Sequence, residues 1–167
     1  MKGGISEEDR LYTLRFYDLL DTATEDSFDK LVKLAALVCD MPISLVSLVD
    51  DQRQWFKARV GLEAQETPRE YAFCQHTILQ DDVMLVADAT ADDRFADNPL
   101  VTGEPNIRFY AGAPLKVANG QNIGTLCVID SKPNTLTSQQ LEALETIRDT
   151  VVSLIEFRQA TEALSKL

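Results

Sequence analysis

The stretch Ile107–Asp130, IRFYAGAPLKVANGQNIGTLCVID, decides the fold. Phe109, Ala111, Ala113, Leu115 and Val117 alternate with Tyr110, Gly112, Pro114 and Lys116, the two-residue period of a strand whose faces see different surroundings. One of those faces is uniformly apolar. After a turn, Ile123, Thr125, Cys127 and Ile129 alternate with Gly124, Leu126, Val128 and Asp130, so the second strand is apolar on both faces and reads as central and covered. Asn119-Gly120 supplies residues that tolerate the positive φ of a tight hairpin turn. Pro114 donates no ladder hydrogen bond and belongs at an edge or a bulge.

Working outward from this hairpin, Ala89–Asn106 holds Asp92, Asp93, Asp97, Asn98, Pro99, Gly103 and Pro105, a run of turn formers. Val83–Asp88 reads as a short strand. Gly61–Asp82 keeps no single period, with at most one helical turn at His76–Leu79. Ile43–Asp50 and Gln54–Val60 read as two strands around the polar turn Asp50-Asp51-Gln52-Arg53. Before Pro42, Thr22-x-x-Glu25 is a capping pattern, followed by Phe28, Leu31, Val32, Ala35 and Val38 at helical spacing. Ser6-Glu7-Glu8-Asp9 opens an earlier short helix that ends near Asp21. On the other side, Thr137-x-x-Gln140 with Leu136 and Leu141 is a capping box and staple, and nothing breaks the helix from there to Leu167. Such a helix would be about 43 Å long. Its residues Leu144, Ile147, Val151 and Leu154 recur in three- and four-residue steps, which predicts a homodimer through paired helices.

Strands joined by hairpins, with helices at both ends of the chain, predict an α+β fold with a mainly antiparallel sheet. The 167 residues suit one domain, with a core over about 10–160, an extension over 1–9 and a terminal signalling or dimerisation helix over 138–167. With 45 % hydrophobic and 26 % charged residues the composition is that of a globular protein. A net charge of −11 opposes nucleic acid and anionic membrane as partners, since both need a basic face. Three cysteines, far apart and without a C-x-x-C pair, indicate neither a disulfide framework nor a zinc site. The absence of a long apolar run and of an apolar core in MKGGISEEDR points to a cytoplasmic protein or the cytoplasmic part of a larger one.

Seven runs together, LLDT (19–22), PISLVSLVD (42–50), RQWFKARVGL (53–62), ETPRE (66–70), FCQHTI (73–78), DNPLVTGEPNIRFYAGAPL (97–115) and GTLCVID (124–130), resemble the bacterial GAF domain. The subgroup is that attached to sensor histidine kinases and diguanylate cyclases, and the likeness spans about Arg10–Ala160. The resemblance implies a PAS-like GAF fold: a central antiparallel sheet of five to six strands, the terminal helices on one face and irregular crossing segments over a ligand pocket on the other. It also implies an input module for signal transduction, including two-component and cyclic-di-GMP signalling, that regulates a kinase or diguanylate cyclase output partner.

A reactive thiol is the first chemistry to weigh. Cys74 and His76 share a face only if their segment is extended, and no third group is spaced to orient the imidazole. Bilin-binding GAF domains attach their chromophore through a Cys with a His directly after it, and here Gln75 intervenes. Free methionine-R-sulfoxide reductases, also GAF proteins, need cysteines gathered around one pocket, whereas Cys39 and Cys127 lie in apolar runs. Asp81-Asp82 and Asp92-Asp93 do not fit a calcium loop, and a lone histidine builds no multi-histidine metal cage. No catalytic residue, metal or cofactor is therefore expected. The reading is a non-catalytic sensory domain that binds a small molecule, with a ligand-free dimerisation or interaction module as the alternative from another class. The pocket is expected over Gly61–Asn106. Its walls would be Trp55, Phe73, Phe95, Phe109 and Tyr110, and its polar contacts Cys74, His76, Arg94 and Arg108.

Overall fold

Alternation along the quoted stretch becomes the middle of one sheet. The computed structural model describes residues 6–167. In chain order its main elements are α1 (Glu7–Phe16), α2 (Asp26–Cys39), β1 (Ile43–Val49), β2 (Arg53–Val60), β3 (Glu66–Pro68), α3 (Cys74–Thr77), β4 (Met84–Val86), α4 (Pro99–Thr102), β5 (Phe109–Lys116), β6 (Asn122–Asp130) and α5 (Ser138–Ser165). The six strands lie in the order β3-β2-β1-β6-β5-β4, and every neighbouring pair is antiparallel. Of the extension expected over 1–9, residues 1–5 fall outside the described residues, and Glu7–Asp9 belong to α1.

The apolar face of β5 meets the helices. Phe109, Ala111, Ala113, Leu115 and Val117 share one core cluster with Leu11 and Leu14 of α1, Phe28, Val32, Ala35 and Cys39 of α2, and Leu144, Ile147, Val151 and Ile155 of α5. A second cluster lies under the short helices and loops, with Ile43, Leu45, Phe56, Phe73, Cys74, Phe95, Tyr110 and Ile129. Successive residues of a strand point to opposite faces, so one strand serves both layers. The seam Leu144, Ile147, Val151 belongs to the protein's own core, which corrects the expectation that it pairs with a second helix. In α2 the stripe drifts as well: Val38 is exposed and Cys39 is buried in its place.

Turns and caps explain where the elements stop. Thr137 accepts from the Gln140 amide at 3.1 Å while Gln140 Oε1 accepts from the Thr137 amide at 2.9 Å, so the expected capping box starts α5. Thr22 does not cap α2. Its hydroxyl donates to Leu19 O at 2.5 Å, and Glu25 takes the N-cap position without a side-chain bond to the helix. In the β5–β6 turn only Gly120 has positive φ, at +88°. Its amide bonds to Val117 O at 2.9 Å and the Val117 amide to Gln121 O at 3.0 Å, so the tight turn expected at Asn119-Gly120 is a three-residue connection. Pro114 sits beyond the end of β4, beside a register shift, where its missing N–H costs no ladder bond.

Two irregularities shape the sheet. The first is in β6: Pro114 pairs with Thr125 but Lys116 with Asn122, so β6 carries an extra residue opposite β5. Gly124 lies in it, and a Cβ there would stand 2.0 Å from Ser47 O. The second is in β2, where Val46 pairs with Ala58 but Ser47 with Phe56. The extra residue is Lys57, whose side chain is 0 % exposed. Its ammonium reaches Glu25 at 2.6 Å, Ala23 O at 2.6 Å and Thr22 Oγ1 at 2.8 Å, and it lies 5.6 Å from the Phe28 ring centroid. Glu25 also accepts from Arg158 of α5 at 2.8 Å, and Arg158 donates to Tyr17 O and Asp18 O. One carboxylate thus ties the sheet, the start of α2 and the far half of α5 together.

Two measurements check these constraints. Gly124→Ala should lower the urea unfolding free energy by about 2–4 kcal/mol, because backbone must move to admit the methyl group. Gly120→Ala should cost only about 1–2 kcal/mol, the strain of its φ, since nothing lies within 4 Å of that Cβ. Burial works to raise the Glu25 pKa, but hydrogen bonds from Lys57 and Arg158 outweigh it and hold the value below 4.5. A depressed folded pKa means that this contribution is complete above pH 4.5 and is lost as the pH falls further. Glu25→Gln should therefore cost about 2 kcal/mol at pH 7, less than for a fully buried pair because Glu25 is 40 % exposed, and the difference from the parent should shrink below pH 4.5 in acid titrations of melting.

Candidate functional site

The loop-covered face of the sheet divides into a filled half and an open half. Over β4, β5 and β6 the space is filled. Phe73 and Phe95 stack with ring centroids 4.0 Å apart, and Phe73 also meets Tyr110 at 5.2 Å. His76 presents its edge to Phe95 at 5.0 Å, while the Arg94 guanidinium lies over the same ring at 5.0 Å and pairs with Asp92 at 2.8 Å. Six of the expected site residues are thus brought together: Phe73, Cys74, His76, Arg94, Phe95 and Tyr110. Arg108 is spent on backbone, donating to Val101 O at 2.8 Å and Ile107 O at 3.0 Å. Trp55 and Phe109 lie on the opposite face, in the helix-side core.

Beneath the stacked rings is a closed polar cluster. Cys74 Sγ lies 3.0 Å from Thr125 Oγ1 and 3.2 Å from the Tyr110 hydroxyl, which is 2.9 Å from Thr77 Oγ1. Burial works to raise the Cys74 pKa, but the hydrogen-bonding groups around it, Cys127 first and then Thr125 and Tyr110, together lower it. Cys127 moves the other way, pushed up by its hydrogen bond with Cys74 and by burial. Such a thiol has donors but no base. Cys74 and His76 sit two apart on the helical turn α3, which directs them to different sides, and the imidazole faces Phe95. The His76 pKa is lowered by burial and then by Arg94, so the neutral ring is favoured.

The open half lies over β1, β2 and β6. A cavity of about 470 Å³, within the range of small-molecule sites, is lined by the two crossing segments Gly61–Ala64 and Glu104–Ile107 above and the sheet below. Its floor is apolar: Ile43, Leu45, Phe56 and Ile129 of the sheet line it and are all buried, as is Ile107 above them. Leu62 and Leu100 form half-buried walls. Gly61, at φ +77°, lets the first crossing segment touch the sheet, since a Cβ there would stand 2.1 Å from Pro42 O.

Polar groups reach this cavity at one place on the floor. Ser47 Oγ donates to Gln54 Oε1 at 3.0 Å, and Gln54 Nε2 donates to Thr67 Oγ1 at 2.6 Å. Having accepted, the Thr67 hydroxyl keeps its own proton to offer. None of the nine side chains expected from sequence lines this space. The region was legible, because Gly61–Asn106 does cover it. Its walls could have been found from the strand parity of Ile43, Leu45, Phe56 and Ile129, which share the face opposite the terminal helices. Among the described residues there is no group of three metal-ligating side chains. No helix among them is long and apolar enough to cross a membrane.

Comparison with known proteins now decides the family. The GAF domain family model matches residues 23–154. The chain belongs to the GAF domain family. Over 149 residues it is 44 % identical to a cyclic di-GMP phosphodiesterase of Pseudomonas aeruginosa, covering 89 % of this chain but only 25 % of that protein. This GAF chain therefore spans about a quarter of the length of its curated relative. Two solved GAF domains share the fold. One is from an Acinetobacter phosphoenolpyruvate-protein phosphotransferase (TM-score 0.68, 19 % identity, 93 % of this chain and 97 % of that one). The other is the Thermosynechococcus elongatus PixJ GAF domain in its blue-light absorbing form (TM-score 0.66, 12 % identity, 98 % and 97 %). GAF domains are in general sensory, ligand-binding and regulatory, and the expected α+β fold with a central antiparallel sheet of five to six strands holds here, with six.

The buried thiols give a direct check on this description. Cys39, Cys74 and Cys127 are all free and buried. In native protein at pH 8 a chromogenic disulfide reagent should titrate none of them within minutes, and all three should react at once in urea. Rapid labelling of Cys74 in the native state would show that the stacked half of the face opens readily.

Proposed function

We propose that this GAF domain is a non-catalytic sensor that takes a small molecule into the cavity over β1, β2 and β6 and passes the event to α5. The observation that carries the reading is the cavity itself: an apolar floor, one polar corner at Gln54 and Thr67, and two irregular segments as walls. The path to α5 runs through one strand. Phe56 lines the cavity, and the next residue, Lys57, points to the helix face, where Glu25 links it to Arg158. A ligand that moves Phe56 acts on a pair of ion bridges that hold α5.

The output in this reading is a kinase or cyclic-di-GMP enzyme regulated by the helix, by analogy with the partial match to the Pseudomonas aeruginosa phosphodiesterase. Exposed Tyr12 and Phe16 on α1, with Phe157 and Leu164 on α5, favour a second reading in which the helical face pairs with another copy of the chain. Light scattering that stays monomeric over a wide concentration range would reject that pairing.

Protein unfolded, refolded to strip any bound molecule and titrated with fractions of a small-molecule extract should gain several degrees of melting temperature with at least one fraction, by mass action on the folded state. Trp55 emission should change little, because its indole is on the other face. Lys57→Met should leave that gain in place yet remove the ligand's effect on hydrogen exchange in the last turns of α5. No gain with any fraction would leave the interaction module standing.

A further inference from the structure

Charge is distributed unevenly around the cavity. Among the described residues its buried floor carries no charged side chain, and its charged lining residues are Glu63 and Glu104, both exposed and therefore at the rim. Among the described residues no lysine, arginine or histidine lines it. Cations close by in sequence are engaged elsewhere: Lys57 pairs with Glu25 on the helix face, Arg59 donates to Gln65 Oε1 at 2.6 Å, Arg53 to Asp21, Asp50 and Glu66, Arg69 to Glu7 and Asp50 O, and Arg108 to backbone carbonyls. Helix α4 has its orphan amides occupied by its own Asn98 cap, so it offers no free anion site to the cavity.

A phosphate or carboxylate entering this space would lose water, meet no counter-charge and pass two carboxylates. An ammonium held at the rim would meet two. We propose, on the reading above that the cavity is the ligand site, that its ligand has an apolar body of up to about 470 Å³ and a neutral or cationic polar end, and that nucleotides and other anionic metabolites are excluded. The apolar body lies on Ile43, Leu45, Phe56 and Ile129. The polar end has two places to go: the Thr67 hydroxyl for a neutral acceptor, and the rim between Glu63 and Glu104 for a cation.

Three probes with one ring system separate the charge types: 1-naphthylmethylamine, 1-naphthalenemethanol and 1-naphthoate. Calorimetric titration of the intact chain at low salt should show binding of the amine and the alcohol, and of naphthoate at least about tenfold more weakly. The amine's advantage over the alcohol should shrink with added salt and in a Glu63→Gln, Glu104→Gln double variant, whose exposed positions leave folding intact. Leu62→Trp, at a half-buried wall, should abolish all binding; methyl shifts confined to Ile43 and Ile129 locate the probes if that variant unfolds. Naphthoate binding as tightly as the amine, with shifts at those same methyls, overturns the charge rule while the cavity stands. No methyl shift with any probe overturns the cavity itself, and the charge rule with it.

Discussion

Lys57 places an ammonium in an apolar layer, and the helical side of the molecule is arranged to hold it there. An unpaired charge at that depth would be costly, so the carbonyl of Ala23, the hydroxyl of Thr22 and the carboxylate of Glu25 converge on it. These partners fix the segment between α1 and α2, and through Arg158 they fix α5. Phe56 and Lys57 are neighbours in β2 and so point to opposite faces, and the irregularity that follows keeps Ala58 on the helix face beside Lys57. Packing of the helices and shape of the cavity side therefore meet in one strand.

The loop side answers to a different constraint. Its filled half is held by stacked rings above satisfied hydroxyl and thiol groups, a dry arrangement with little room to rearrange. Its open half has fewer obligations: the sheet supplies an apolar floor, and the covering segments are anchored mainly at their ends. Space is left in the second half because the first has already satisfied itself.

Much of the fold was legible in the sequence, because the signals were local. Strand alternation, the capping box at Thr137 and the turn composition of Ala89–Asn106 each depend on neighbours a few residues away. The wall residues were harder, for a reason visible in β5. Phe109 and Tyr110 are adjacent in an extended strand and cannot line the same space, so assigning both to one pocket ignored the parity that had identified the strand. Trp55 failed differently. It shares its face of β2 with Lys57, a charged residue that a distant carboxylate holds buried against the helices. That carboxylate belongs to Glu25, thirty-odd positions away, and no local pattern reports it. The start of α2 was misplaced by the same contact, since Thr22 and Glu25 serve Lys57 instead of capping a helix.

The ends of the strand order have a consequence for how the molecule behaves when crowded. Both outermost strands, β3 and β4, are only three residues long, so much of β2 and β5 would be open to recruitment by a stray strand. Those stretches are blunted. Beside β2 the backbone and side chain of Gln65 occupy the Phe56 carbonyl and amide. Beside β5, beyond β4, Pro114 has no amide to offer, its carbonyl accepts from Arg148 at 3.1 Å, and Lys116 adds a charge. The discordant proline of the central hairpin is thus a guard against cross-β aggregation, placed where a continuous strand would otherwise invite growth.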